Sequence, residues 1–258
     1  MDPGPLRDAL TLLTGVATGV MSGSFGVGGA VISTPAIRAL GCSAAMAVGT
    51  TLPSIFPGAI AGINRYRTTD LIRWRIAGPA CAGAVTAVAG ARLSDVLPGD
   101  GHPLMIATAI LLLFSAISLI RGGRAAEPVA KADSRHTSWI AVAIGSTAGL
   151  MSGLLGIGGG VLMVPAFRRW LGLPIKSAVA TSLVCVAAFA IPGTITHALQ
   201  GGIEWRFALW LTIGVIPGAI IGSTIAMRMS DQRLRRLFGI FLAVVAVIYA
   251  VGELVALR

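Results

Sequence analysis

Residues 104–120 read LMIATAILLLFSAISLI and residues 237–251 read LFGIFLAVVAVIYAV, neither with a charged side chain. Such runs constrain the fold more than any other feature of the chain. Extended by small and weakly polar neighbours, they match a bilayer core of about 30 Å, which a helix of about 20 residues crosses. Only 12% of the residues are charged, against about 25% in an ordinary soluble domain, and the mean hydropathy is +0.85. The apolar segments are continuous rather than alternating, which disfavours a β-barrel. The reading is an all-α polytopic membrane protein. The net charge of +10 could suggest a nucleic-acid partner. The basic residues instead fall in short connectors between apolar segments, the positive-inside pattern, and no nucleic acid is expected. The start, MDPGPLRDAL, lacks the basic n-region of a cleavable signal peptide, so none is expected.

One apolar stretch is interrupted. Residues 22–30 read SGSFGVGGA, and each glycine disfavours a helix by roughly 1 kcal/mol against alanine. The interruption occurs twice. Residues 19–38 are GVMSGSFGVGGAVISTPAIR and residues 149–168 are GLMSGLLGIGGGVLMVPAFR. The likeness continues from Gly49-Thr50-Thr51-Leu52 to Ala180-Thr181-Ser182-Leu183, and with a gap from Pro57-Gly58 to Pro192-Gly193. A glycine-rich helix over 78–90 answers another over 214–222. An internal repeat of this kind fixes the architecture: a first transmembrane repeat over 1–121, a polar linker over 122–136 on the cytoplasmic side, and a second repeat over 137–258. Each half is predicted to hold a glycine-broken stretch, 8–40 or 138–170, and three spans. These are 43–63, 73–92 and 103–120 in the first half, and 177–199, 206–227 and 236–256 in the second.

A straight helix over 8–40 would be about 50 Å long at 1.5 Å per residue, too long for one crossing. Charge chooses between a single broken span and a hairpin. With two hairpins, the segments 64–75, 121–137, 168–176 and 227–236 share one side and carry 15 of the 20 Lys and Arg. With two single crossings the split is 11 to 9. The positive-inside bias favours hairpins. Each half then crosses an odd number of times, so the halves form an inverted repeat, as in many secondary transporters. Both termini would be non-cytoplasmic.

Broken backbone at membrane depth needs polar partners or a wet cavity. A glycine break that opens a helix presents unpaired N–H groups at the positive dipole end, a natural anion site. Ser22, Gly23, Gly26, Gly28 and Gly29 of the first copy qualify, with Ser152, Gly153, Gly156, Gly158, Gly159 and Gly160 of the second. The same small residues also suit close helix packing. Thr50, Thr51, Thr181 and Ser182 fall near the middle of matched spans. Their hydroxyls can line a symmetric cavity or bond back to their own helix. His197, before Gln200-Gly201-Gly202, is a candidate proton-coupling group or an interfacial histidine, and it aligns with no first-half histidine. Gly62 or Ile63 falls opposite it. Arg38 and Arg168, each three residues after a proline, can snorkel to headgroups or draw an anion into a vestibule.

No HExxH, GxSxG or intramembrane carboxylate cluster is present in the sequence, so no enzyme, cofactor or metal is expected. Gly26-Val27-Gly28-Gly29 is only a fragment of a dinucleotide fingerprint, in the wrong context. Cys42, Cys81 and Cys185 are odd in number and cannot all pair within one chain.

The duplicated SGxxGxGG core, the following proline, the GTTL and ATSL elements and His197 ahead of Gln200-Gly201-Gly202 resemble the sulfite exporter TauE/SafE family. The resemblance runs over nearly the whole chain. It implies secondary transport of small sulfur-containing anions such as sulfite or sulfoacetate across the cytoplasmic (inner) membrane, driven by a proton or sodium gradient. The implied substrate region is residues 22–30 with 152–160, plus Thr50, Thr51, Thr181 and Ser182. Ala30 stands where the second copy has Gly160, so the two copies depart from each other. An anion or weak-acid channel and a thiol-dependent sulfur-transfer membrane protein are the alternatives. The oligomeric state is not set by the sequence.

Overall fold

Helix is the only regular structure among the described residues of the computed structural model, which are 4–96, 102–121, 134–155 and 158–256. Glycines decide how the first helices pack. Helix α1 (Pro5–Phe25) carries Gly15, Gly19 and Gly23 on one face, and α10 (Trp205–Arg228) carries Gly214, Gly218 and Gly222. A β-carbon on Gly19 would collide with the carbonyl of Val215, and one on Gly218 with that of Val16. Lipid tails are as apolar as leucine, so close backbone approach, rather than apolar burial, holds such a seam together. The contacts run in step from Asp8–Arg206 to Gly23–Ala219, so α1 and α10 are parallel.

The second half repeats the arrangement. Helix α7 (Ser134–Leu155) sets Gly145, Gly149 and Gly153 against Ala80, Gly83 and Ala87 of α4 (Trp74–Ala80) and α5 (Gly83–Val96), again in parallel. Each half therefore seats its first helix on a small-residue helix of the other half. The span predicted over 73–92 is in two pieces. Cys81 N–H still reaches Ala77 O (2.9 Å), but Ala82 N–H bonds Pro79 O (3.1 Å) and Ala84 N–H bonds Cys81 O (2.9 Å), which interrupts the helix before α5.

Helix α3 (Ala44–Arg67) runs parallel to α10, since Thr50 meets Glu204 at one end and Arg65 meets Thr224 at the other. It runs antiparallel to α9 (Ile175–Leu199), with Leu52 over Gly193 and Leu183 over Gly62. Helices α6 (His102–Arg121) and α11 (Asp231–Ala256) pair on the flank through Gly239, whose missing side chain admits Ile120. The linker expected over 122–136 falls mostly outside the described residues, and α7 already begins at Ser134.

The short helices α2 (Ala30–Ala39) and α8 (Gly160–Leu171) turn back from α1 and α7. Ile37 of α2 is buried with Phe207 and Leu211, at the end of the molecule where Arg7 meets Glu204 (3.7 Å). So α1 and α2 leave and return to one end. Arg168 of α8 lies within electrostatic reach of Arg235 and Asp231 at the start of α11, the opposite end. That opposite end also gathers Arg65, Lys176 and Arg228, with the Lys176 ammonium donating to Met227 O (2.9 Å).

Six helical segments among the described residues are long and apolar enough to cross a membrane: Met46–Arg67, Trp74–Leu93, His136–Leu154, Ile175–Leu199, Trp205–Arg228 and Asp231–Val251. Ile106–Arg121 is a shorter apolar helix. The outward faces are apolar, as a bilayer demands: Phe114 is 70% exposed and Ile110 64%. Inside, Phe25 stacks on Phe238 (4.8 Å) and Phe241 (5.2 Å), tying the tip of α1 to α11.

Candidate functional site

The two glycine breaks meet in the middle of the protein. Helix α1 ends at Gly26 in the left-handed region (φ 71°), with its N–H on Ser22 O (2.7 Å). Gly28 and Gly29 follow at φ 85° and 84°, and Gly158 and Gly159 of the second break lie at 83° and 71°. Only glycine takes this conformation without steric penalty. A β-carbon on Gly28 would press on Val186 and stand 3.7 Å from Gly158 Cα. One on Gly158 would stand 2.9 Å from Val27 O, and one on Gly160 would collide with Gly26 O. The hairpin tips thus pass at backbone contact, and α2 and α8 both start there. Gly29 and Gly159 are their N-caps, and neither has a side-chain capping bond. The ladder of α2 opens with Ile32 and Ser33 N–H on Gly29 O, that of α8 with Leu162 and Met163 N–H on Gly159 O. The first turns of both helices therefore bring backbone N–H groups and two positive dipole ends to one locus. Gly156 lies outside the described residues.

The hydroxyls differ in what they hold. Ser182 donates to Gly26 O (3.0 Å) and to Val179 O (2.9 Å), so it touches the first break. Thr51, its repeat partner, donates to Val48 O (2.9 Å) on its own helix. Ser22 and Ser152 are buried beside their breaks. Thr50 and Thr181 are fully buried and hold helix starts of the other half. Thr50 Oγ1 accepts from Glu204 N–H (2.9 Å) and Thr181 Oγ1 accepts from Arg73 N–H (3.1 Å). Gly23 and Gly153 lie in the helix seams described above.

Beside the second break runs a narrow cavity with room for about one water molecule. Val48 and Leu52 of α3, Ala87 and Ala91 of α5, Ser152 and Gly153 of α7, and Phe189, Gly193 and His197 of α9 line it. His197 sits in the last turn of α9, its Cβ against Gly49, and its carbonyl accepts from Gly202 N–H (2.9 Å). The equivalent space in the first half is filled. Tyr66 is completely buried there and donates to Gly23 O (2.8 Å).

That equivalence corrects the repeat register. Gly62 faces Leu183 as Gly193 faces Leu52, and Asp70 (φ 52°) matches Gly201 (φ 69°) as a left-handed residue. The repeat therefore runs without a gap from Thr50 and Thr181 to Trp74 and Trp205. It pairs Gly62 with Gly193, not Gly58 with Gly193, and puts Tyr66 opposite His197. Arg38 ends α2 and Arg168 ends α8, both half-buried and away from the meeting tips.

Comparison with known proteins decides the family. The family model described as sulfite exporter TauE/SafE matches residues 11–249. The chain belongs to the sulfite exporter TauE/SafE family. That membership makes it a multi-pass membrane transporter. A probable membrane transporter protein of Xylella fastidiosa (strain 9a5c) is 28% identical over 248 residues, covering 92% of this chain and 93% of the relative. The probable membrane transporter protein YunE of Bacillus subtilis is 25% identical, with 92% and 94% covered. A probable membrane transporter protein of Methanocaldococcus jannaschii is 25% identical, with 91% and 92% covered. No solved structure matches the chain.

For this TauE/SafE protein, sequence reasoning missed three kinds of site residue. Tyr66 looked like one more residue of the arginine-rich connector, RYR. Val186 and Ile55, which face Gly28, looked like ordinary span residues. Thr18, fully buried with no hydrogen-bond partner for its Oγ1, presses its methyl group towards Gly29. Only the alternation of small and large residues along α1 could have singled it out. No group of three or more His, Cys, Asp or Glu that could hold a metal occurs among the described residues.

Proposed function

We propose that the protein is a secondary transporter of small sulfur-containing anions, sulfite or sulfoacetate among them, across the cytoplasmic membrane by alternating access. The observation that carries this reading is the tip-to-tip meeting of the two glycine breaks, with α2 and α8 both starting at the contact. Two helix N-termini at one place favour a small, compact anion. Backbone N–H groups of residues 28–31 and of Gly158, Gly159 and Val161 hold it, helped by the hydroxyls of Ser22 and Ser152 and, on release from their carbonyl partners, by those of Thr51 and Ser182. Thr50 and Thr181 act on the site indirectly, by fixing the helix starts of the opposite half. Gly26, Gly29, Gly159 and Gly160 keep the backbone close enough for the anion to reach it.

The halves are inserted upside down relative to each other. The antiparallel course of α3 and α9, and of the α1–α10 and α7–α5 pairs they flank, supports this inverted repeat. The end rich in Arg65, Lys176 and Arg228 faces the cytoplasm, which leaves both termini non-cytoplasmic. Rocking one half against the other about the meeting tips exposes the site to either side. His197, in the cavity with Ser152, is the coupling group, and it carries a proton with the anion. Arg38 and Arg168 stand at the two mouths and attract anions.

The test is uptake of sulfite, sulfoacetate, thiosulfate, taurine and simple carboxylates into reconstituted vesicles under imposed pH and sodium gradients. Concentrative uptake and counterflow of a sulfur anion are expected; flux that never exceeds electrochemical equilibrium would mark a channel instead. Gly28→Leu and Gly158→Leu should each abolish transport while the protein still inserts. Full transport by both variants would sink the proposal.

A further inference from the structure

A cleft opens on the outer surface between α3 and α10. Its volume is about 590 Å³. Phe56 and Ile60 of α3 face Ile216 and Ile220 of α10 across it, each between 38% and 45% exposed. Its other end changes character: Asn64, Arg65 and Thr68 line it there. The change is graded along one helix face, because residues four apart stack on the same side. From Phe56 to Thr68 the face runs from apolar to basic over about 18 Å, at 1.5 Å per residue. That is close to half of a 30 Å hydrocarbon core plus the start of the headgroup layer.

We infer that this cleft binds one anionic phospholipid, with an acyl chain between Ile60 and Ile220 and the phosphate beside Arg65. Charge complementarity selects the headgroup. Arg65 donates through Nε to the neutral hydroxyl of Thr224 (3.1 Å), a bond that orients the guanidinium over α10 without neutralising it. Arg228 lies one helical turn beyond Thr224 on α10, so a second cation flanks the same spot. The nearby carboxylate of Asp231 is engaged with Lys176 (3.9 Å). A planar, pre-oriented guanidinium suits a phosphate better than a zwitterionic headgroup, whose own cation must also be placed. A transmembrane helix from a second copy would need an apolar cleft along its full length, and this one turns basic after a single leaflet.

The experiment is native mass spectrometry of the purified protein released from detergent with equal amounts of dioleoylphosphatidylglycerol and dioleoylphosphatidylcholine. One retained phosphatidylglycerol per chain is expected, at several-fold excess over phosphatidylcholine. Arg65→Gln should erase that preference and Arg65→Lys should keep most of it. Ile220→Trp, which fills the apolar end, should remove the adduct altogether. Equal retention of the two lipids by the native chain, or an unchanged preference in Arg65→Gln, would overturn the inference. So would a disulfide between two copies carrying Ile60→Cys, since that would put a second chain in the cleft.

Discussion

Tyr66 and His197 occupy the same register position at the ends of α3 and α9, yet the space beside each differs. On the first-half side the phenol fills it and closes on Gly23 O at 2.8 Å. On the second-half side the shorter imidazole leaves a cavity that reaches Ser152. The helices around the two spaces are equivalent, and so are the glycines that let them approach: Gly62 with Gly193, and Gly23 with Gly153. A duplicated membrane fold thus keeps its backbone contacts in both copies, because no side chain can replace a missing β-carbon. Apart from the interruption between α4 and α5, which α10 lacks, the divergence lies in side chains that fill or vacate a volume.

The strongest way to break that comparison is to attack the backbone contacts in each half. Gly19→Val and Gly149→Val should both eliminate folded protein, since each β-carbon would meet a carbonyl of the partner helix, Val215 O or Gly83 O. Relieving either clash requires α1 or α7 to move off its partner, which destroys the small-residue seam. The check is the yield of monodisperse protein after detergent extraction. Normal yield for one variant and none for the other would show that the halves are not equivalent even at the backbone.

The next largest effect should come from making the second half resemble the first. His197→Tyr fills the cavity beside Ser152. With His197 as the coupling group, transport should fall at least tenfold, and its dependence on a pH gradient should vanish. A variant that transports normally would remove His197 and its cavity from the mechanism. A smaller effect is expected on the other side: Tyr66→Phe keeps the volume and loses one hydrogen bond to Gly23 O, about 1 kcal/mol. Measured by thermal unfolding in detergent, that loss should appear as a drop of a few degrees with transport retained.

The breaks themselves were legible in the sequence, since a run such as GVGG inside an apolar stretch cannot continue a helix, and α1 stops at Gly26 with α2 starting at Ala30. The return of α2 towards the start of α1 was legible from the length of the stretch and the distribution of Lys and Arg. The register between halves was not. Pro57-Gly58 and Pro192-Gly193 look like matching landmarks, but proline is tolerated inside membrane helices wherever neighbours satisfy the freed carbonyl. Both prolines sit within unbroken helices here. The matching left-handed residues, Asp70 and Gly201, do not share a residue type, so their φ angles rather than their identities show that the pairing holds there. The turn after Pro79 was hidden for the same reason, as Pro217 in the equivalent helix α10 leaves it continuous. The contacts of Thr50 and Thr181 were beyond sequence reasoning, because each bond joins residues more than a hundred positions apart.

Those two threonines allow the finest test of the comparison. Thr50 and Thr181 each accept the N–H that precedes a Trp-Arg pair, Glu204 before Trp205-Arg206 and Arg73 before Trp74-Arg75. Both hydroxyls are fully buried, so replacing either by valine leaves a backbone N–H without its acceptor while keeping the side-chain shape. The expected loss is about 1–2 kcal/mol for each variant. The two bonds lie at opposite ends of the molecule, Thr50 near the Arg7–Glu204 pair and Thr181 near the arginine-rich end. Their effects should therefore add in the double variant. Equal, additive drops in thermal midpoint would show that the halves remain interchangeable at this contact after diverging at Tyr66 and His197. A much larger drop for Thr50→Val would mean that Glu204, held also by Arg7 at 3.7 Å, anchors one end of the protein more firmly than Arg73 anchors the other.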